Sequence, residues 1–445
     1  MTDRVTLLHT ADLHLDSPLR SLALRDEGLR EAVETATRRA FSRLVDTALA
    51  AGDAGLLIAG DLFDGASRSA RTAAFLAAET ERLHAAGIAV FLVWGNHDAE
   101  SRLSGLIDMP PNVHVFGPRG GSARLEERCG EREIWVHGVS FARAHAPESL
   151  LPRFPAPVPG AVNIGLLHTS LAGAPGHDPY APCSPAELAG FGYDYWALGH
   201  VHARRVHGEA PWIVMPGTPQ GRDIGEAGPK SATRLGLTPD GITIEEVPTA
   251  TAEFRAATVQ AGGIDTPAAL RRALAAGIAE AKGAAQAEAV ILRLTLAGAT
   301  PLAWALRRDA DIWQEIAREE AEARGDVWLE GLRLDVAPPE AGRPAGVAPA
   351  AVEELAAAME AIRAEPGTRA AFRETLDEAL RALEPAQRHA LAPDEAAAEA
   401  LLDTLAAEGA ALMAARLRGA PAATDDGPGD GTGDGTGDGT GDGSF

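Results

Sequence analysis

Cysteine is scarce, with only Cys129 and Cys183 in 445 residues. Two are too few for a disulfide framework and lack metal-binding spacing, so both read as reduced structural residues. No run of about 20 apolar residues is present to cross a membrane, and Met1 to Thr10 lacks the apolar stretch and cleavage site of a secretory leader. The compartment expected from these absences is the cytoplasm. Lysine is nearly missing too, since Lys230 and Lys282 stand alone. The basic side chains are therefore almost all Arg, the better phosphate clamp, although a GC-rich genome gives the same bias. Net positive charge is also lacking. The formal charge is −23, whereas nucleic-acid binding draws on Lys and Arg to neutralise phosphates. Two features soften that objection: the stretch from Asp425 to Phe445 holds six acids and no Lys or Arg, and the acids of a metal site are neutralised by their cations.

Against these absences stand five short segments: Asp12-Leu13-His14, Gly60-Asp61, Gly95-Asn96-His97-Asp98, His168 and Gly199-His200-Val201-His202. Each follows a run that reads as a buried strand, namely Val5 to Thr10, Gly55 to Ala59, Ile88 to Trp94, Val162 to Leu167 and Tyr195 to Leu198. A lone Asp-x-His or Gly-Asp carries little information. Five in this order at strand ends supply seven metal ligands. Phosphodiester hydrolysis needs a nucleophile at neutral pH and a counter-charge for the transition-state oxygens, and two divalent ions about 3.5–4 Å apart provide both. Asp61 is the expected bridge, with Gly60 letting the backbone turn tightly. Asp12, His14 and His202 then suit one ion, and Asn96, His168 and His200 the other. This mix of carboxylate, amide and imidazole favours Mn or Fe, with Zn also compatible.

His97 is best kept off the metals. Breaking a P–O bond leaves an alkoxide, which an imidazole can protonate as general acid. Asp64 either orients that imidazole, caps the helix whose first turns hold Arg68 and Arg71, or does both. Arg68, Arg71, Arg143, Arg204, Arg205 and Arg222 lie near the motifs and are the candidate DNA-backbone contacts, with a solvated surface role as the alternative for each.

The ordered set resembles the calcineurin-like metallophosphoesterases. Leu8 to Pro18 and Gly60-Asp61-Leu62-Phe63-Asp64 resemble the SbcD-type DNA-repair exonucleases. Tyr180 to Ser184 and Gly192 to His202 are similar to the YhaO branch of that group. The resemblance is specific from residue 4 to about 235. It implies a Mn-dependent nuclease acting on DNA ends, the residue roles given above, and an SMC-like ATPase partner of SbcC or YhaN type; it leaves room for a homodimer. Two departures stand out. Eukaryotic and archaeal relatives carry His where this chain has Asp64, whereas bacterial SbcD-type sequences look like this one. In the loop from Pro216 to Ile224, the YhaO-like pattern has His at the position of Asp223.

Along the chain, residues 1–249 alternate strand and helix before strands take over from Trp135. The segment from Arg119 to Glu133 reads as a charged excursion, and Trp212 to Met215, Thr233 to Leu237 and Ile242 to Val247 as closing a second sheet. The fold class expected is α/β (α+β): a two-sheet metallophosphoesterase sandwich flanked by helices, with the metals at one edge. Residues 250–336 read as a small α+β cap, with helices from Thr266 to Ala284 and Leu302 to Arg324 and strands from Ala289 to Leu296 and Val327 to Val336. Residues 337–350 read as a linker and 351–419 as a helical partner-docking region with a broad apolar face on its last helix. Residues 420–445, with repeated Gly-Asp-Gly-Thr, are expected to be disordered. Calcium-binding repeats would need apolar stacking positions that this run lacks.

Three function classes follow. The leading one is a DNA nuclease subunit. The rival enzyme is a small-molecule phosphodiesterase, for cyclic nucleotides or other diesters, which needs neither cap nor helical tail. A protein phosphatase would carry Asn-His-Glu where this chain has Asn96-His97-Asp98. A scaffold that had lost catalysis would lack ligands, and none is missing.

Overall fold

Continuous apolar runs such as Leu7-Leu8 and Leu56-Leu57-Ile58, buried on both faces, are what a parallel sheet covered on each side demands. The computed structural model describes residues 4–17, 35–64, 69–100, 108–171, 180–339, 349–383, 388 and 391–419. The chain forms two compact units, Met1–Gly298 with Asp311–Val336, and Ala299–Ala310 with Ala337–Phe445.

In the first unit, β1 (Val5–Thr10), β2 (Gly55–Ala59), β3 (Ala89–Val93) and β4 (Val113–Val115) lie side by side and parallel. The connections carry α1 (Ala36–Ala51) and α2 (Ala70–Ala85). Both are amphipathic by spacing. In α1 the buried residues Ala40, Phe41, Leu44, Val45 and Ala48 form one stripe, and Gly52 ends the helix at φ 64°. After the short helix α3 (Asn96–Glu100) the chain builds a second sheet of β5 (Gly121–Cys129), β6 (Arg132–Val139), β7 (Val162–His168), β8 (Tyr195–Gly199), β9 (Arg205–Glu209) and β10 (Trp212–Met215), in the order β5-β6-β7-β8-β10-β9. Between β7 and β8, α4 (Pro185–Gly190) opens with a capping box of Ser184 and Glu187.

Two sequence expectations fail here. The charged segment after Arg119 is no excursion but the edge strand β5, whose exposed positions hold Arg124, Glu126, Glu127 and Arg128, with a shift in pairing register between Arg124 and Arg128. The strands that follow β10 do not close the second sheet either: β11 (Ser231–Thr238) crosses back to pair antiparallel with β1, and β12 (Gly241–Pro248) pairs outside it. Leu7, Leu57, Phe91, Ile164, Leu166, Val214 and Leu235 interdigitate between the sheets, while Leu8, Leu56 and Ile58 face Phe41 and Leu44 of α1.

The first unit ends in a third sheet, β13 (Ala252–Gln260), β14 (Ala289–Ala299) and β15 (Val327–Ala337), in that order. Thr266 caps the helix α5 (Pro267–Gly283), which links the parallel pair β13 and β14. The strand β13 escaped the sequence reading because only its ends are buried. The single helix expected over Leu302–Arg324 is two, α6 (Ala303–Arg308) and α7 (Ala310–Glu322). Asp309 leaves helical geometry at φ −108°, ψ 33°, with its carboxylate held by Arg308.

The second unit is helical. Its last helix, α10 (Glu395–Gly419), packs on α6, α8 (Pro349–Ala364) and α9 (Pro366–Arg381), burying Leu402 with Leu376 and Leu380. Part of the apolar face expected for docking is therefore covered within the unit, while Leu405 and Met413 remain exposed. Among the described residues no helix is long and apolar enough to cross a membrane. The Gly-Asp-Gly-Thr run, most of the linker and Arg68 lie outside the described residues.

One buried pair pins the first sheet to the second. His9 Nε2 donates to the Leu198 carbonyl at 3.1 Å, and its Nδ1 accepts from the Tyr195 hydroxyl at 2.9 Å. Burial lowers the His9 pKa to about 3, so the folded chain keeps it neutral where the unfolded chain, with a pKa near 6.5, takes a proton. The unfolded state then binds more protons below pH 6.5, and stability is lost as the pH falls from 6.5 toward 3. His9 alone is expected to cost about 2 kcal/mol of stability between pH 7.5 and 5. Urea unfolding of the parent and of His9→Gln at both pH values checks this, since the neutral amide should remove that part of the acid sensitivity.

Candidate metal centre

The parallel strands all point their C-terminal ends at one edge, and the candidate ligands follow directly from them. Pairing continues beyond the strands: Asp12 N donates to the Gly60 carbonyl, His14 N to Asp61 and Leu15 N to Leu62, each at 3.0 Å. The two loops are thereby locked in register. Asp12, His14, Asp61 and His200 all have positive φ (53°, 41°, 53° and 103°), a costly backbone for non-glycine residues that persists only where the surroundings enforce it. Space is as tight. Gly60 has φ 90°, and a Cβ there would lie 2.5 Å from His168 Nδ1, while one on Gly95 would collide with the Asp61 carboxylate. Gly95→Ala is accordingly expected to displace Asp61 and lower metal content, as measured by metal analysis of the purified variant.

The seven side chains converge in two sets. His14 Nε2 and His202 Nε2 face each other at 3.1 Å, and Asp12 joins them within 4.8 Å. Asn96 Oδ1 lies 3.0 Å from His168 Nε2 and 3.2 Å from His200 Nδ1. Asp61 belongs to both, because its Oδ2 is 3.4 Å from His168 Nε2 and 3.8 Å from His14 Nε2. The proton positions suit cations. His168 Nδ1 sits 2.9 Å from the Ala59 carbonyl and His202 Nδ1 2.6 Å from Glu226 Oε1, so each ring, once neutral, spends its one N–H there and leaves an Nε2 lone pair facing inward. Buried lone pairs turned on one another, with two carboxylates beside them, form a donor set that fits divalent metal ions.

The acids and imidazoles of this cluster perturb one another strongly. Burial pushes the Asp12 carboxyl up and the His14 imidazole down. Burial also opposes ionisation of Asp61 and His168, but their mutual attraction prevails, holding Asp61 well below the usual carboxylate range and raising His168 to about 9. Ligand nitrogens must be deprotonated to bind, so metal uptake will release protons.

Asp98, quoted above only as part of a motif, has a structural task. Its carboxylate accepts from the backbone N–H of Leu62 (3.2 Å), Phe63 (2.9 Å) and Gly95 (2.9 Å), joining the loops that carry Asp61 and Asn96. Burial and then the charge of Asp61 push it up to about 7. Asp98→Ala would leave three buried donors unpaired at about 1–3 kcal/mol each, so a thermal midpoint many degrees lower and reduced metal content are expected.

His97, 39% exposed, sits at the mouth with Nδ1 3.5 Å from Asp64 Oδ1. The other Asp64 oxygen accepts from Ser17 Oγ at 2.8 Å. Of the two roles open to Asp64, capping falls away, because Ser69 caps α2 by accepting from Arg71 N. His14, Asp64 and His97 also place ligand-type atoms within 4.8 Å of one another, so His97 is close enough to act at the centre.

The five candidate arginines among the described residues are placed very differently. Arg71, Arg143 and Arg205 are exposed and pair with no acid among the described residues. Arg204 bonds Thr233 Oγ1 at 2.6 Å and lies 3.3 Å from Glu246. Arg222 is drawn into the centre, its guanidinium 2.8 Å from Glu226 and 3.0 Å from His202 Nδ1. The departure at Asp223 also finds a use: its side chain accepts from Gly225 N at 2.7 Å and caps the short turn Ile224–Glu226. Glu226 was not recognisable in the sequence, since no motif links it to His202.

Residues 5–204 match the calcineurin-like phosphoesterase family, and residues 254–337 match the middle domain of metallophosphoesterase YhaO. An uncharacterized metallophosphoesterase YhaO from Bacillus subtilis is 32% identical over 338 residues, 75% of this chain and 82% of that protein. A DNA double-strand break repair protein Mre11 from Methanopyrus kandleri is 27% identical over 236 residues, covering 48% of each chain. A dimetal phosphatase from Danio rerio overlays on 55% of this chain and 96% of its own, at 13% identity and a TM-score of 0.34.

Proposed function

The chain belongs to the calcineurin-like metallophosphoesterases, with YhaO as a relative over most of its length, and from that premise we propose that it is a two-metal nuclease cleaving DNA phosphodiesters. That it is a metal-dependent phosphoester hydrolase rests on the family and on the convergent Asp and His side chains. The observation that carries the finer reading is Asp61 Oδ2, shared between the two histidine sets at 3.4 and 3.8 Å. Similarity to proteins named for double-strand break repair supports DNA as the substrate.

Asp12, His14 and His202 would hold one ion, Asn96, His168 and His200 the other, and Asp61 both; Mn suits this donor set. Bound ions supply a nucleophile at neutral pH and a counter-charge for the phosphoryl oxygens. The chain's own residues do the rest. His97 turns Nδ1 toward Asp64, and its Nε2, with no bond among the described residues, would protonate the leaving 3′ or 5′ oxygen. Ser17 holds Asp64, which keeps the imidazole oriented. In the same reading the helical second unit docks an SMC-like ATPase through the face bearing Leu405 and Met413, and a homodimer is compatible with it.

A second reading, a small-molecule phosphodiesterase, is favoured by charge: the net charge is −23, and among the described residues three of the five candidate arginines are exposed. Salt separates the two. Each phosphate neutralised on duplex DNA contributes about 0.9 to the slope of log affinity against log salt, so contacts by Arg71, Arg143 and Arg205 predict a slope near −3. The test is a labelled linear duplex, a cyclic dinucleotide and a chromogenic diester, each with Mn and with chelator. Mn-dependent shortening of the duplex with that salt slope supports the nuclease. Cleavage of the cyclic dinucleotide alone, or a flat salt dependence, supports the small-molecule enzyme.

A further inference from the structure

The two histidine sets are braced in different ways. His168 of one set donates Nδ1–H to the Ala59 carbonyl in β2, inside the metallophosphoesterase sheet itself. His202 of the other set turns Nδ1 to a side chain, Glu226 Oε1, at 2.6 Å. Glu226 has little freedom of its own. Its Oε1 accepts from Arg222 Nη2 and its Oε2 from Arg222 N, both at 2.8 Å, and its backbone N–H donates to the Asp223 carbonyl at 3.1 Å.

The turn that carries Glu226 is seated on the third sheet. Ile224 packs with Phe254 of β13 and Ile291 of β14, and Gly228 N donates to the Phe254 carbonyl at 2.8 Å. Arg222 Nη2 also lies 3.0 Å from His202 Nδ1, but a guanidinium accepts no hydrogen bond, so only the closer Glu226 carboxylate can take the single N–H of a neutral imidazole and turn the other nitrogen to the centre. We propose that Glu226 is a positioning residue for His202, and that through it the third sheet sets the affinity of the ion held by Asp12, His14 and His202. The ion of Asn96, His168 and His200 is braced without it. This rests on the two-ion reading above.

The test titrates the full chain with Mn and reads free Mn by electron paramagnetic resonance. The parent protein should take up two ions. Glu226→Ala should weaken one of them about 10–100-fold, as loss of a carboxylate behind a ligating histidine does, and leave the other within about twofold. Glu226→Gln keeps an acceptor oxygen opposite Nδ1–H and should recover most of that loss. Ile224→Ala touches no ligand and should weaken the same ion by a smaller factor. Unchanged affinities in Glu226→Ala, an equal loss of both ions, or a Gln variant as weak as the Ala variant overturns the proposal. If Glu226→Ala does not fold, Glu226→Gln and Ile224→Ala decide it, and wild-type binding of both ions in the two of them overturns it. A parent chain that takes up fewer than two ions contradicts the two-ion reading itself, which separates that failure from this one.

Discussion

Asp61→Ala is expected to strip the centre of both metal ions and abolish phosphodiesterase activity. One oxygen of this residue stands between the two histidine sets, at 3.4 Å from His168 Nε2 and 3.8 Å from His14 Nε2, and the other accepts from His97 N at 3.0 Å. Its charge also favours positive charge at this buried spot, since the attraction between Asp61 and His168 outweighs burial at both groups. Asp61→Asn keeps the shape and removes the charge, so it should lose metal as well. Metal analysis of variants that remain folded by circular dichroism checks this. Full loading of Asp61→Ala would mean that the shared oxygen is not a bridge.

His97→Ala is expected to keep both ions and lose DNA cleavage by about 10²–10⁴-fold, the usual contribution of a general acid. The residue lies at the mouth, partly exposed, with Asp64 behind it. Because its task is to protonate the leaving oxygen, the loss should shrink when the leaving group is a good one, such as a nitrophenolate that departs without a proton. Steady-state rates on duplex DNA and on the chromogenic diester, measured beside metal content, separate this role from metal binding. An equal loss on both substrates, with the metals still bound, would remove His97 from the acid role.

The convergence of the ligands was legible because each sits within a few residues of a strand whose apolar run is continuous, so position along the chain reports position at the sheet edge. Gly60 was legible for the same reason, and its φ of 90° is what a tight turn into the cleft requires. What lies across the fold was not. Glu226 reaches His202 only after the chain has left β10 and turned at Asp223, and sequence distance carries no trace of that contact. The return of β11 to β1 was missed because strands that follow one another usually pair, and here the neighbour is the first strand of the chain. The edge strand β5 was hidden by its own exposed charges. The break at Asp309 lies in a stretch whose residues otherwise favour helix, and the Asp309 carboxylate there is held by Arg308.

The most direct test of the shared carboxylate is electron paramagnetic resonance of the Mn-loaded protein. Two Mn ions bridged by one carboxylate couple magnetically, so the spectrum at full loading should be that of a coupled pair, and Asp61→Asn should abolish it. Two uncoupled Mn signals, or saturation at one ion per chain, would contradict a dinuclear centre built on Asp61.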